Sequence, residues 1–164
     1  MPDFLSWCQW LENTPMSATL RDSLWLFPAI ETVHLFGIVA LVGSTAILDL
    51  RLMGLTLAGT PVPKLARRVL PWAWLGFGIQ LATGFFLFAS EASRVYLNPA
   101  FRFKMLMLAA AGLNALLFHV TTNRSAARWE GRSSTPMAAK IAGLSSLALW
   151  FAIVIAGRMI AYFE

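Results

Sequence analysis

Hydrophobic positions in this chain gather into four long runs, at about residues 24–48, 70–90, 105–122 and 141–162. Wound as helices at ~1.5 Å per residue, runs of this length cross a hydrocarbon core of ~30 Å. Bare backbone cannot sit in lipid, so each run is predicted to be a helix. The fold class is all-α: an integral membrane four-helix bundle forming one membrane domain over residues 1–164. Ahead of the first run, DFLSWCQWLEN places Phe4, Trp7, Cys8 and Leu11 on one face, with Asp3 as a candidate N-cap. That pattern predicts a short N-terminal interfacial amphipathic helix lying among the lipid headgroups. Asn13-Thr14-Pro15 ends it, and Ser17 is placed to cap the next helix. Pro28 either starts the first span or kinks it, and the two readings stay open.

Polar positions punctuate the runs. The first continues through DLRLMGLTLAG until Gly59-Thr60-Pro61-Val62-Pro63 breaks the pattern. The second opens with Pro71 in its first turn and has Trp72 and Trp74 at an interface. Its Gly76, Gln80, Thr83 and Gly84 form a small, polar stripe suited to a neighbouring helix. Asn98-Pro99 reads as cap and start for the third span. TNRSAARWEGRSSTP, between spans three and four, is polar and turn-rich and is expected to be the most mobile stretch.

Composition sharpens the class. The chain is 58% hydrophobic and only 13% charged, with a mean hydropathy of +0.65, which excludes an ordinary soluble domain. The net charge of +5 does not imply nucleic acid, because eight of the 13 basic residues lie in the two loops on one side. These are Arg51, Lys64, Arg67 and Arg68, then Arg124, Arg128, Arg132 and Lys140. The positive-inside rule then predicts both termini outside and both basic loops in the cytoplasm, with the lipid bilayer as the surroundings. The single Cys8 allows no internal disulfide and reads as a quiet interfacial thiol. Asp3 and Glu12 stand where a signal peptide needs basic residues, and no small-residue cleavage site precedes the first span.

The chemistry rests on the 2 histidines, His34 and His119, both inside spans. Imidazoles projecting inward from two helices suit axial ligation of a haem iron, and four-helix bundles build cofactor sites from facing side chains. Gly37, Gly112, Ala115 and the stripe of span two remove side-chain volume and would leave room for a macrocycle. Arg158 and Lys104, with Arg102, would hold haem propionates, while Glu31 would pair with Arg158, orient His34 or pass protons. Three plainer readings stand beside these. Small stripes also let helices touch, basic side chains snorkel to headgroups, and the histidines would hydrogen-bond to Gln80, Asn114, Ser145 or Ser146. Asp49 and Arg51 read as a local helix-end pair. Phosphate-cradling loops, GxSxG, CxxC and HExxH are all missing, which removes hydrolases and nucleotide-driven pumps.

The runs ETVHLFGIVALVGSTAILDLRLMG, LARRVLPWAWLGFGIQLATGFFLF, NPAFRFKMLMLAAAGLNALLFH and GRMIAYF resemble an uncharacterised family of small bacterial inner-membrane proteins. More distantly, the chain is similar to the copper-resistance D-type membrane domain and to HemJ-type haem-binding membrane proteins. This likeness rests on His34 early in a span and on the helix from Lys104 to His119. The HemJ-type resemblance implies that a His and a Lys are tied to haem, and the copper-type resemblance implies copper passage. The expectation is a b-type cytochrome with haem b between His34 and His119, passing electrons between a quinone or redox protein and a partner on the outer face. It would be an electron-transfer protein rather than a stand-alone enzyme. A dimer in which each histidine serves its own haem stays open. So do copper or small-solute transport through Glu31, His34 and Met107, and a scaffold subunit without cofactor.

Overall fold

The computed structural model describes residues 4–122 and 135–163. The expected Asp3 cap lies outside those residues, as do most of the TNRSAARWEGRSSTP stretch and Arg124, Arg128 and Arg132. Within them every regular element is helical: α1 (Phe4–Glu12), α2 (Pro15–Asp22), α3 (Leu26–Met53), α4 (Val62–Ser90), α5 (Ala92–Leu97), α6 (Pro99–Leu117), a π-helical turn (Phe118–Thr122) and α7 (Met137–Met159). Helices α3, α4, α6 and α7 are long and apolar enough to cross a membrane, which makes this a multi-pass membrane protein.

Local chemistry sets the helix ends. Thr14, not Ser17, caps α2: its Oγ1 accepts from Ser17 N, while the Ser17 hydroxyl donates back to Leu11 O at 2.8 Å. Pro28 falls in the first turn of α3, where its missing N–H leaves no bond unmade. The same helix stops at Met53, short of the expected Gly59. Gly54 takes φ +79 there, and the Leu55 N–H reaches Leu50 O at 3.0 Å, a Schellman termination. Helix α4 starts at Val62, with Pro61 and Pro63 in its opening positions, so Pro71 is an interior proline rather than a first-turn one. Asn98 caps α6 as expected, its Oδ1 accepting from Ala100 N at 2.9 Å and Phe101 N at 3.3 Å.

The spans pack in the order α4, α3, α7, α6. Helix α3 lies between α4 and α7, and α6 lies on the far side of α7. Among the described residues α4 and α6 do not pack along their lengths, and only Phe88 stacked on Phe101 at 5.5 Å brings them together. Helices α1, α2 and α5 cover the end of the bundle where Phe88 and Phe101 sit, here termed the capped end. Cys8 and Leu11 are buried there against Ala89 and Ala92, with Phe88 and Tyr96 alongside. Trp7 and Trp10 on the same helix remain exposed, which gives α1 the expected two-faced character. Glu12 accepts the Ser93 N–H at 3.1 Å and Arg21 donates to Ser90 O at 3.1 Å, tying the cap to α4 and α5. At the opposite, basic end Arg51 donates from Nε to Thr60 O at 2.8 Å and from Nη1 to Thr135 at 3.4 Å.

Candidate functional site

The tightest contact in the bundle lies between α3 and α4. A Cβ on Gly76 would fall 2.5 Å from Leu41 N and 2.8 Å from Gly37 O, so backbone meets backbone. A Cβ on Gly37 would fall 2.7 Å from Ile79 and 2.8 Å from Gln80. The volume missing at Gly37 is therefore taken by α4, and Gly37 serves helix packing rather than a cofactor wall. The stripe on α4 faces its neighbour, as its pattern suggested. From the same stripe Gln80 Nε2 donates to the His34 carbonyl at 2.6 Å. Gln80 thus holds the backbone of the histidine, not its ring.

The ring is held by Thr83. His34 Nδ1 lies 2.8 Å from Thr83 Oγ1, and that hydroxyl donates its one proton to Ile79 O at 2.6 Å. The hydroxyl can then only accept from the imidazole, so Nδ1 carries the ring proton and Nε2 keeps its lone pair. An oriented histidine with its second nitrogen free is the arrangement found in metal-ligating sites. Gly84, one residue on, leaves space at the ring, since a Cβ there would lie 3.5 Å from Cε1.

Lys104 of α6 comes towards this point from the other side. A Cβ on Gly157 of α7 would lie 3.5 Å from its Nζ, so the lysine runs along a strip of α7 that has no side chain. From there its ammonium lies on the side of the His34 ring. Residues of all four spans, His34, Thr83, Lys104 and Gly157, thus converge in the half of the bundle nearer the capped end.

His119 is not among them. His34 is the ninth residue of α3, about 12 Å from that helix's capped end at ~1.5 Å per residue. His119 lies in the π-helical turn beyond α6, about 30 Å from Pro99 by the same measure. The two rings differ by about 18 Å in depth, and α3 does not pack on α6. One iron sandwiched between them does not fit this arrangement. Gly112 and Ala115 are exposed positions of α6, and nothing lies within 4 Å of where a Gly112 Cβ would be. Asn114 donates to Ala142 O at 3.0 Å, joining α6 to α7 rather than serving a histidine.

The remaining charged candidates stand apart. Arg158 is exposed, donates to the Tyr162 hydroxyl at 3.5 Å and lies over its ring at 5.6 Å. Arg102 donates to Tyr96 O at 3.1 Å and stacks at 5.2 Å on the Tyr96 ring. Among the described residues the ion pairs are Arg21–Glu12 at 3.7 Å and Arg94–Glu91 at 3.2 Å, so Glu31 does not pair with Arg158. Met105 is exposed and Met107 half-buried. Asp49 is not a local partner of Arg51: it is buried at 6% exposure, and its side chain faces Ser146 of α7. The sequence pattern placed Thr83 in the small, polar stripe of span two but not as the partner of the His34 ring. A hydroxyl seven residues before a helix end carries no signal until the facing histidine is known.

No curated protein and no solved structure matches this chain. Its four-span unit, residues 26–163, matches the model of a family of unknown function, DUF6644, and the chain belongs to that family.

Proposed function

We propose that this protein holds a b-type haem through His34, in the space between α4 and α6, and exchanges electrons with a quinone or redox protein at the capped end. The observation that carries the reading is the Thr83 hydrogen bond, which fixes the His34 tautomer and leaves Nε2 available. The donor set favours haem over a bare metal ion. Among the described residues no three His, Cys, Asp or Glu side chains gather as metal ligands. A copper or zinc ion needs such a group, whereas a macrocycle brings four ligands of its own and asks the protein for one or two.

When bound, haem supplies one-electron redox chemistry; the chain supplies its position and surroundings. His34 presents a nitrogen of fixed orientation, and Lys104 offers an ammonium to a propionate. The apolar spans lower the dielectric around both. The basic residues Arg51, Lys64, Arg67, Arg68 and Lys140 support a cytoplasmic position for that end of the bundle in a bacterial inner membrane, with the capped end outside.

The test is the visible spectrum of detergent-purified protein from haem-replete cells, oxidised and dithionite-reduced. Soret and α bands are expected in the parent protein and in His119→Ala, and are lost in His34→Ala. Thr83→Val is expected to weaken haem retention by about 10–100-fold. A featureless spectrum of the parent protein overturns the reading. Bands lost in His119→Ala but kept in His34→Ala would move the ligand to the other end of the bundle.

A further inference from the structure

The seam between α3 and α7 holds an ionisable group that the haem reading does not use. Asp49 is 6% exposed and lies near the basic end of α3. Its side chain faces Ser146 of α7. The atom Oδ2 is inaccessible to solvent and has no hydrogen-bond partner. The helices meet closely here: a Cβ on Gly143 would fall 2.9 Å from Asp49 O and 3.3 Å from Leu52 Cβ. Leu52, Val62 and Ala139 form a buried apolar cluster beside it.

At this end of the three elements that meet here the other charged groups are Arg51 on α3, Lys64, Arg67 and Arg68 on α4, and Lys140 on α7; Glu31 of α3 and Arg158 of α7 lie towards the opposite end. Among the described residues none forms an ion pair with Asp49. The Arg51 guanidinium is turned to Thr60 and Thr135 instead. A carboxylate buried without a cation and with one bare oxygen is the costly state of this side chain. A carboxylic acid suits the same place: its O–H donates to a hydroxyl, and the second oxygen is only a neutral carbonyl.

We propose that Asp49 is a proton-binding site, with its carboxyl held as the neutral acid and donating to Ser146 Oγ within the α3–α7 seam. Loading takes one proton from water at the basic end and forms one O–H bond. Release returns that proton and leaves a carboxylate for which the closed seam provides no partner, so release requires α3 and α7 to part or to admit water. The ligand is a proton rather than a metal ion, because a hard cation asks for several oxygen ligands and Oδ2 has no hydrogen-bond partner.

Infrared difference spectroscopy of the full chain against Asp49→Asn at neutral pH tests this, and its readout does not involve haem. The expected result is a protonated-carboxyl C=O stretch present in the parent protein, sensitive to deuterium oxide and missing from Asp49→Asn. In Ser146→Ala the band persists but shifts to higher frequency as its hydrogen bond is lost. Carboxylate stretches in the difference spectrum, with no C=O band, overturn the proposal. A thermal stabilisation by sodium over choline that vanishes in Asp49→Asn also overturns it, in favour of a cation site. Should Asp49→Asn fail to fold, the pH titration of the C=O band in the parent protein and its shift in Ser146→Ala decide between acid and carboxylate.

Discussion

Helix α4 and helix α6 are both apolar and both long enough to span, yet they are held in opposite ways. Helix α4 meets α3 backbone to backbone at Gly76, and Gln80 and Thr83 carry its hydrogen bonds across. Helix α6 buries only Ala100 and holds its neighbour mainly through polar ties, Asn98 at one end and Asn114 further along. In lipid, where apolar surface gains little by leaving its surroundings, close backbone approach and hydrogen bonds decide association. Hydropathy therefore detects α4 and α6 equally well and says nothing of how firmly each is held. The difference also fits the site, which has a rigid half in α3 and α4 and an open half towards α6.

The sharpest way to break this contrast is to add volume to the tight contact. Gly76→Leu drives a side chain into the Leu41 and Gly37 backbone, which cannot move aside. A loss at or above the upper end of about 1–3 kcal/mol is expected, read as lost folding or a collapsed Tm in detergent. Asn98→Ala comes next: it removes a helix cap and both ties to the residues just after α7, with about 1–2 kcal/mol expected from the cap alone. Gln80→Leu removes one interhelical hydrogen bond and is expected to cost about 1 kcal/mol by thermal unfolding. Gly112→Ala meets no atom within 4 Å and should stabilise by up to about 1 kcal/mol through helix propensity. A Gly112→Ala variant as damaging as Gly76→Leu would show that α6 is packed where the comparison has it open.

The smallest effect concerns Cys8. Burial first, and the Glu12 carboxylate second, push its thiol above the ordinary cysteine range. The group therefore stays protonated at neutral pH, and its thiolate fraction grows only as pH rises beyond that range. Maleimide labelling is expected to be negligible at neutral pH, to increase with pH and to become rapid on unfolding. Rapid labelling of the native protein at neutral pH would mean that α1 lifts off its seat against Ala89 and Ala92.

The spans themselves were legible because lipid imposes one simple demand on composition, and the stripe Gly76, Gln80, Thr83, Gly84 carried its facing role in its spacing. Helix ends were less legible. Pro61 and Pro63 read as breakers but act as starters, because a proline at a helix opening loses no hydrogen bond. That moved Pro71 from the first turn to the interior. The third apolar run begins at about residue 105, but the helix begins at Pro99, so His119 lies deeper from the capped end than the run itself indicates. Asp49 and Arg51, two apart, point to different faces of α3, so each finds its partner on another element. Sequence shows such residues as neighbours, and only the packing of α7 and the connection after α3 separates them.

Asn98 has a consequence in time as well as in space. Its Oδ1 caps α6, while its Nδ2 donates to Ile160 O at 3.0 Å and Phe163 O at 2.7 Å, near the far end of the chain. During synthesis α6 can wind and cap itself once the residues after Asn98 emerge, but the other half of the same amide waits for Ile160 and Phe163 beyond α7. That latch thus closes only after α7 is made, and a ribosome paused before Ile160 would leave a four-span intermediate with it unfastened.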